Sequence, residues 1–265
     1  MSGADDVASR LVAVRARVAA AALVAGRDPS AVRIVAVTKK QGADAVGEAY
    51  AAGQRDFGEN YVQEAVAKIS RLAAAMPDAR WHLVGRLQSN KAAVAVRSFL
   101  LLHGIDSLRT VAAISRAAVL EGRVAELLLQ VRLVPRGEPG GDDASRSGGS
   151  GPREEGQGEA VPQSGDRGGR SGVDPGSAGS FLQEACVHEG IRFIGLMGVA
   201  DPDHDARPQF AGLRELASRL AALGLERAPL GELSMGMTGD FEQAVAEGAT
   251  IVRIGTAIFG ERPLA

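Results

Sequence analysis

Short apolar runs alternate with segments of helical period along nearly the whole chain, and this alternation restricts the fold more than any other feature of the sequence. The runs fall at 32–38, 56–58, 81–85, 100–105, 126–134, 192–199, 232–235 and 250–254, and most are rich in Val, Ile and Leu. A strand buried on both faces reads as such a continuous run, whereas a half-exposed strand alternates. Helical segments are expected between them at 43–52, 61–75, 89–98, 107–121, 179–189, 207–223 and 240–247. A leading helix is expected at 5–25, where Leu11, Val14, Val18 and Ala21 or Ala22 recur at helical spacing and Gly26 can close the end.

Eight strands in βα order after a leading helix predict a (β/α)8 TIM barrel of the α/β class. A chain of 265 residues, 45% of them hydrophobic, suits one such domain over 1–265. A doubly wound open sheet ranks second, because the first strand-to-helix turn carries no G-x-G-x-x-G pattern. The segment 136–180 breaks the alternation. It is dense in Gly, Ser, Pro and charges of both signs, so it cannot bury enough surface to offset its ordering entropy. It is expected to be a disordered, solvated loop inserted between the fifth strand and its helix.

A net charge of −2 gives no electrostatic reason to bind nucleic acid or an anionic membrane surface. Apolar residues near the amino end are interrupted by Arg10, Arg15 and Arg17, which fits neither a signal peptide nor a membrane helix. The single cysteine, Cys186, excludes an intramolecular disulfide and is read as a packed side chain; a cytoplasmic location is expected.

Barrels keep their chemistry on the loops after the strands. The polar residues there are Lys39 and Lys40 after strand one, Glu59 and Asn60 after strand two, and Arg86 to Lys91 beyond strand three, with His82 inside that strand. Asp106 follows strand four, Ser234 and Gly236 belong to the end of strand seven, and Arg253, Gly255 and Thr256 to the end of strand eight. Loops after strands seven and eight often hold a phosphate, and Ser234-Met235-Gly236-Met237-Thr238 and Arg253-Ile254-Gly255-Thr256 both offer hydroxyls, close backbone approach and a helix start. If Arg253 points inward, Ile251 and Gly255 share its face while Val252 and Ile254 pack outward, and an inward arginine needs an anion or an acceptor. Lys39 shares a strand face with Val35 and Val37, and Lys40 does not. Both barrel faces are buried, so parity leaves the choice between the two lysines open. A lysine near a buried site can act as an amine nucleophile toward an aldehyde.

Five ordered motifs resemble one family. They are Ala36-Val37-Thr38-Lys39, Phe57-Gly58-Glu59-Asn60-Tyr61-Val62-Gln63-Glu64, the run from Trp81-His82 through Gly85 to Gln88-Ser89-Asn90-Lys91, Leu233-Ser234-Met235-Gly236-Met237, and Val252-Arg253-Ile254-Gly255-Thr256. Together they resemble the pyridoxal phosphate homeostasis protein family over nearly the whole chain outside 136–180. The resemblance implies a barrel of the alanine racemase N-terminal type with pyridoxal 5′-phosphate held as a Schiff base on Lys39. It implies Ser234, Gly236, Gly255 and Thr256 around the phosphate, Arg253 at the pyridine nitrogen, and Asn60 and His82 lining the cofactor. No metal and no catalytic residue is expected.

The function implied is non-enzymatic: a carrier or regulator in vitamin B6 homeostasis, acting as a monomer, with apo pyridoxal phosphate enzymes as the acceptors it would serve. Alanine racemases look similar here but add a β domain and draw a tyrosine base from a partner subunit, whereas neither Tyr50 nor Tyr61 is placed by a racemase motif. Many family members carry a second lysine two residues after the first; here Gln41 stands there, with Lys40 adjacent. The alternatives are a pyridoxal phosphate-dependent racemase or lyase acting on a small amino acid, and a cofactor-free Schiff-base aldolase.

Overall fold

The computed structural model describes residues 6–133 and 171–260. Eight parallel strands close into a barrel in sequence order: β1 (Arg33–Val37), β2 (Asp56–Glu59), β3 (Arg80–Arg86), β4 (Leu101–Ile105), β5 (Ala125–Gln130), β6 (Ile191–Met197), β7 (Glu232–Ser234) and β8 (Ile251–Ile254). β8 returns to pair with β1. This is the (β/α)8 barrel that the alternation predicts, and the closure excludes the open sheet.

Register decides which residues meet. Val35 lies opposite Arg253 and Ala36 opposite Ile254, so Val35 and Arg253 share one face and their chain neighbours the other. Val35, Val84, Leu101, Leu128, Met197 and Ile251 fill the barrel interior. Phe57, Leu83, Leu102, Leu127, Val252 and Ile254 belong to the larger outer core, against the helices. Both faces are apolar, which is why the strands read as continuous runs.

The helices are α1 (Val7–Val24), α2 (Ala43–Ala51), α3 (Val62–Leu72), α4 (Ala92–Ser98), α5 (Leu108–Leu120), α6 (Ala178–Ala185), α7 (Ala206–Ala221), α8 (Phe241–Ala246) and α9 (Thr256–Phe259). α8 and α9 are too short to cover the wall around β8 and β1 alone. The 18-residue α1 fills that place, packing on α8, α9 and α2. Its buried stripe is Val7, Leu11, Val14, Val18 and Ala22, and full burial of a side chain such as Leu11 is worth about 2 kcal/mol. Asp6 caps its start by accepting from the Ser9 N–H at 2.7 Å. Arginines then tie it down: Arg10 Nε donates to the Ile258 oxygen at 2.9 Å and Arg15 Nη1 to the Ala52 oxygen at 2.8 Å.

Several expected boundaries shift. β5 ends at Gln130 rather than continuing to 134, because its partner β6 ends at the paired Met197. Beyond that point Val131 bridges Val173 instead. The expected inserted loop at 136–180 lies outside the described residues as far as 170. Its last part, 171–180, is described: Val173 pairs with Val131, Pro175–Ser177 forms a single 3-10 turn, and α6 begins at Ala178. Regular structure therefore resumes before 180. The helix expected at 179–189 stops at Ala185, with Cys186 as its partly buried C-cap. No helix among the described residues is long and apolar enough to cross a membrane.

Candidate functional site

A cavity of about 310 Å³ opens at the carboxyl ends of the strands. Lys39 enters it just beyond β1, on the inward face that it shares with Val35 and Val37. Lys40 turns away: it is exposed, its φ is +61°, and its N–H donates to Glu64 Oε1 at 2.8 Å. The structure thus supplies what parity alone does not, because one lysine faces the cavity and the other faces outward.

Arg253 reaches the cavity from β8 with only 4% of its surface exposed. A buried guanidinium needs acceptors, and two are present. Nη1 donates to Ser234 Oγ at 2.7 Å and Nη2 to the Gly198 oxygen at 3.0 Å. Asn60 lines the wall above β2. It is held there by a close approach: a Cβ on Gly85 would lie 2.3 Å from the Asn60 oxygen, so β3 must carry a glycine at this point. Thr238, Gly239, Gly255 and Thr256 form the side nearest the ends of β7 and β8, and Val37, Val84, Met197 and Val199 supply apolar wall.

The expected site residues therefore divide. Lys39, Asn60, Arg253, Gly255 and Thr256 line one cavity. Ser234, Gly236 and His82 do not. Ser234 is fully buried beneath the cavity, where it contacts Arg253 and His103. Gly236 acts on the backbone: its φ is +91°, a Cβ there would lie 2.5 Å from the Ala244 Cβ, and its oxygen accepts the Arg253 N–H at 3.0 Å. It lets the chain leave β7 tightly enough to set the loop of Thr238 and Gly239. His82 is inside the barrel, two residues below Val84 on the same face, bonded to Asp56 and His103. Gln88 to Lys91 lie away from the cavity, where Ser89–Lys91 forms a 3-10 turn leading into α4.

Thr238, Gly239, Met197 and His103 were not singled out as site residues by sequence. Thr238 lies within the quoted loop and Met197 at the end of its strand, so position alone could have flagged both. Among the described residues, the titratable side chains on the cavity wall are Lys39 and Arg253. Tyr50 is bonded through its hydroxyl to Asp78, and Tyr61 is 57% exposed at the start of α3.

The donor set suits a small phosphorylated aldehyde. It combines a lysine amine, hydroxyls and glycine backbone at two adjoining loops, a buried cation and an apolar wall, in a volume at the lower end of the roughly 300–1,000 Å³ usual for cofactor sites. The sequence profile of the alanine racemase N-terminal domain matches residues 10–133 and 164–263. The pyridoxal phosphate homeostasis proteins of Escherichia coli K12 and Pseudomonas aeruginosa are 32% and 36% identical, covering 97% of this chain and 97% and 96% of their own.

The chain belongs to the pyridoxal phosphate homeostasis protein family.

Solved structures of similar proteins agree in shape. PipY of Synechococcus elongatus, solved with PLP bound, is 35% identical, with a TM-score of 0.75 over 96% of this chain and 100% of its own. Alanine racemase from Corynebacterium glutamicum aligns with a TM-score of 0.58 at 16% identity, over 96% of this chain and 62% of its own. That likeness extends to the barrel fold alone.

Proposed function

We propose that this chain binds pyridoxal 5′-phosphate in the cavity at the carboxyl ends of its strands and serves vitamin B6 homeostasis as a holder or regulator of that cofactor. The observation that carries the reading is the convergence of Lys39 from β1 and Arg253 from the adjoining β8 on one 310 Å³ cavity beside Gly255 and Thr256. The PLP-bound PipY relative supports it.

Pyridoxal phosphate supplies an aldehyde that condenses with amines and a ring that draws electrons. Lys39 provides the amine that fixes the aldehyde. Thr238 and Thr256 offer hydroxyls to the phosphate, and Gly239 and Gly255 let it approach the backbone closely. Val37, Val84, Met197 and Val199 exclude water from the ring's surroundings. Arg253 would hold a permanent positive charge beside the bound ring, which would disfavour protonation of the ring nitrogen and leave the ring a poorer electron sink. Asn60 contributes a polar group at the wall of β2.

Holding rather than turnover is favoured because Lys39 and Arg253 are the titratable groups at hand on the described wall. A racemase needs a second base to carry the α-proton, and both tyrosines are engaged or exposed elsewhere. We place the protein in the cytoplasm, on its single cysteine, with the monomer as the binding unit and apo pyridoxal phosphate enzymes as its acceptors. The test is α-hydrogen exchange in deuterated water, run across the amino acids with the cofactor-loaded chain. Exchange no faster than with free pyridoxal phosphate is expected; robust exchange or racemisation would establish an enzyme instead.

A further inference from the structure

A line of buried polar side chains crosses the barrel interior from its floor to Arg253. Asp56 begins it on β2, where its Oδ1 is 3.0 Å from His82 Nε2 and its Oδ2 accepts from Arg80 Nη2 at 2.6 Å. His82 Nδ1 lies 3.1 Å from His103 Nε2, and His103 Nδ1 lies 2.9 Å from Ser234 Oγ. Ser234 Oγ accepts from Arg253 Nη1 at 2.7 Å. Both histidines and Ser234 are fully buried, and Asp56 is 4% exposed. Four strands contribute to the line, besides the β8 that carries Arg253 itself.

The end groups limit where the protons can be. An ionised carboxylate only accepts, so His82 Nε2 must carry hydrogen. A neutral His82 then accepts at Nδ1, which requires hydrogen on His103 Nε2. A neutral His103 accepts at Nδ1, and the one donor left for it is the Ser234 hydroxyl. Neutrality is the physical default here. Arg253 stands at one end, Arg33 and Arg80 at the other, and the barrel interior around the line is otherwise apolar, with Leu101, Leu128, Met197 and Ile251. Glu126, Arg192 and Glu232 share the floor hollow with Asp56 and lie beyond the histidines. Burial lowers both imidazoles below the usual range. For His82 the Asp56 carboxylate opposes this in part, whereas for His103 the charges of Arg253 and Arg33 add to it, as would that of His82 were it protonated.

We propose that the Asp56 carboxylate sets the direction of every hydrogen bond in this line, so that Ser234 turns its hydrogen toward His103 and presents a lone pair to Arg253. Asp56, His82 and His103 are positioning residues for the guanidinium. With Nη1 held by Ser234 and Nη2 by the Gly198 oxygen, the plane of Arg253 is locked in the cavity wall. A side chain near the amino end of β2 thereby orients the cation at the opposite mouth. The effect on the cofactor rests on the pyridoxal phosphate reading, while the proton order does not.

The first test uses the unmodified full chain without cofactor. Nitrogen-15 correlation spectra of the imidazoles, from about pH 5 to 8, should show His82 and His103 both neutral with hydrogen on Nε2. Hydrogen on Nδ1 of either ring, or a doubly protonated ring at neutral pH, overturns the proposal. The second test compares His103→Phe with His103→Gln by titrating each with pyridoxal phosphate. Phe removes the acceptor for Ser234 and should weaken binding about tenfold and move the pH profile of the visible band, whereas Gln retains an acceptor and a donor and should restore most of both. A folded Phe variant with unchanged affinity and pH profile overturns the proposal; if that variant does not fold, the imidazole spectra decide. Absence of any visible band in the unmodified chain counts against the pyridoxal phosphate reading and leaves the spectra to judge the proton order.

Discussion

Lys68 Nζ donates to the main-chain oxygen of Thr38 at 2.7 Å, fixing from α3 the peptide that precedes the cavity-facing lysine. The same ammonium lies 2.5 Å from Glu59 Oε1, and Thr38 Oγ1 donates to that oxygen at 2.6 Å. Glu59 is fully buried, and its Oε2 has no partner among the described residues. The end of β1 is thus clamped from outside the barrel by a cation shared between a carboxylate and the backbone.

Replacing Lys68 by Met removes that cation and leaves Glu59 buried beside it, at a cost of about 3 kcal/mol. Burial raises the Glu59 pKa, and its hydrogen bonds from Lys68 and Thr38 oppose the rise. A carboxyl whose folded pKa is raised contributes stability that is present at low pH and lost as pH climbs through that value. Without Lys68 the rise is larger, so the variant's deficit should be greater at about pH 8 than at about pH 5. Urea midpoints at the two pH values check this, and a deficit larger at the acid end would contradict it.

Gly236→Ala should cost about 3 kcal/mol, because the new Cβ combines a left-handed backbone with a 2.5 Å approach to the Ala244 Cβ. Gly239→Ala is the control. A Cβ there meets nothing within 4 Å, so its stability from urea unfolding should lie within about 0.5 kcal/mol of the parent.

Lys40→Gly separates the two lysines. The left-handed φ of +61° strains a lysine and not a glycine, so the variant should gain up to about 1 kcal/mol. It should keep full cofactor binding in a spectral titration. Loss of binding would point to Lys40 as the amine that matters.

The barrel was legible because strands buried on both faces cannot help reading as apolar runs. Spacing put Arg253 on one face with Ile251 without telling which way that face points; the register with Val35, inside the barrel, turns it inward. Depth was not legible. A strand-end position brings a residue near the mouth without telling which layer it occupies. Ser234 is level with Ile251, one layer below Arg253, and His82 sits below Val84, which takes the cavity wall in its place. His103 gave no signal of its own, since a histidine in the middle of a strand gains meaning only through neighbours on other strands. The clamp on Thr38 was hidden for the same reason, because Glu59 and Lys68 meet it only once β2 and α3 are folded beside β1.

The proposed function turns on Lys39 holding pyridoxal phosphate. The direct measurement is borohydride reduction of the cofactor-loaded chain, with mass spectrometry of the labelled peptide, run beside Lys39→Ala. Label on Lys39 in the parent and no visible band in the variant are expected. Label on another lysine, or a band unchanged in Lys39→Ala, would contradict it.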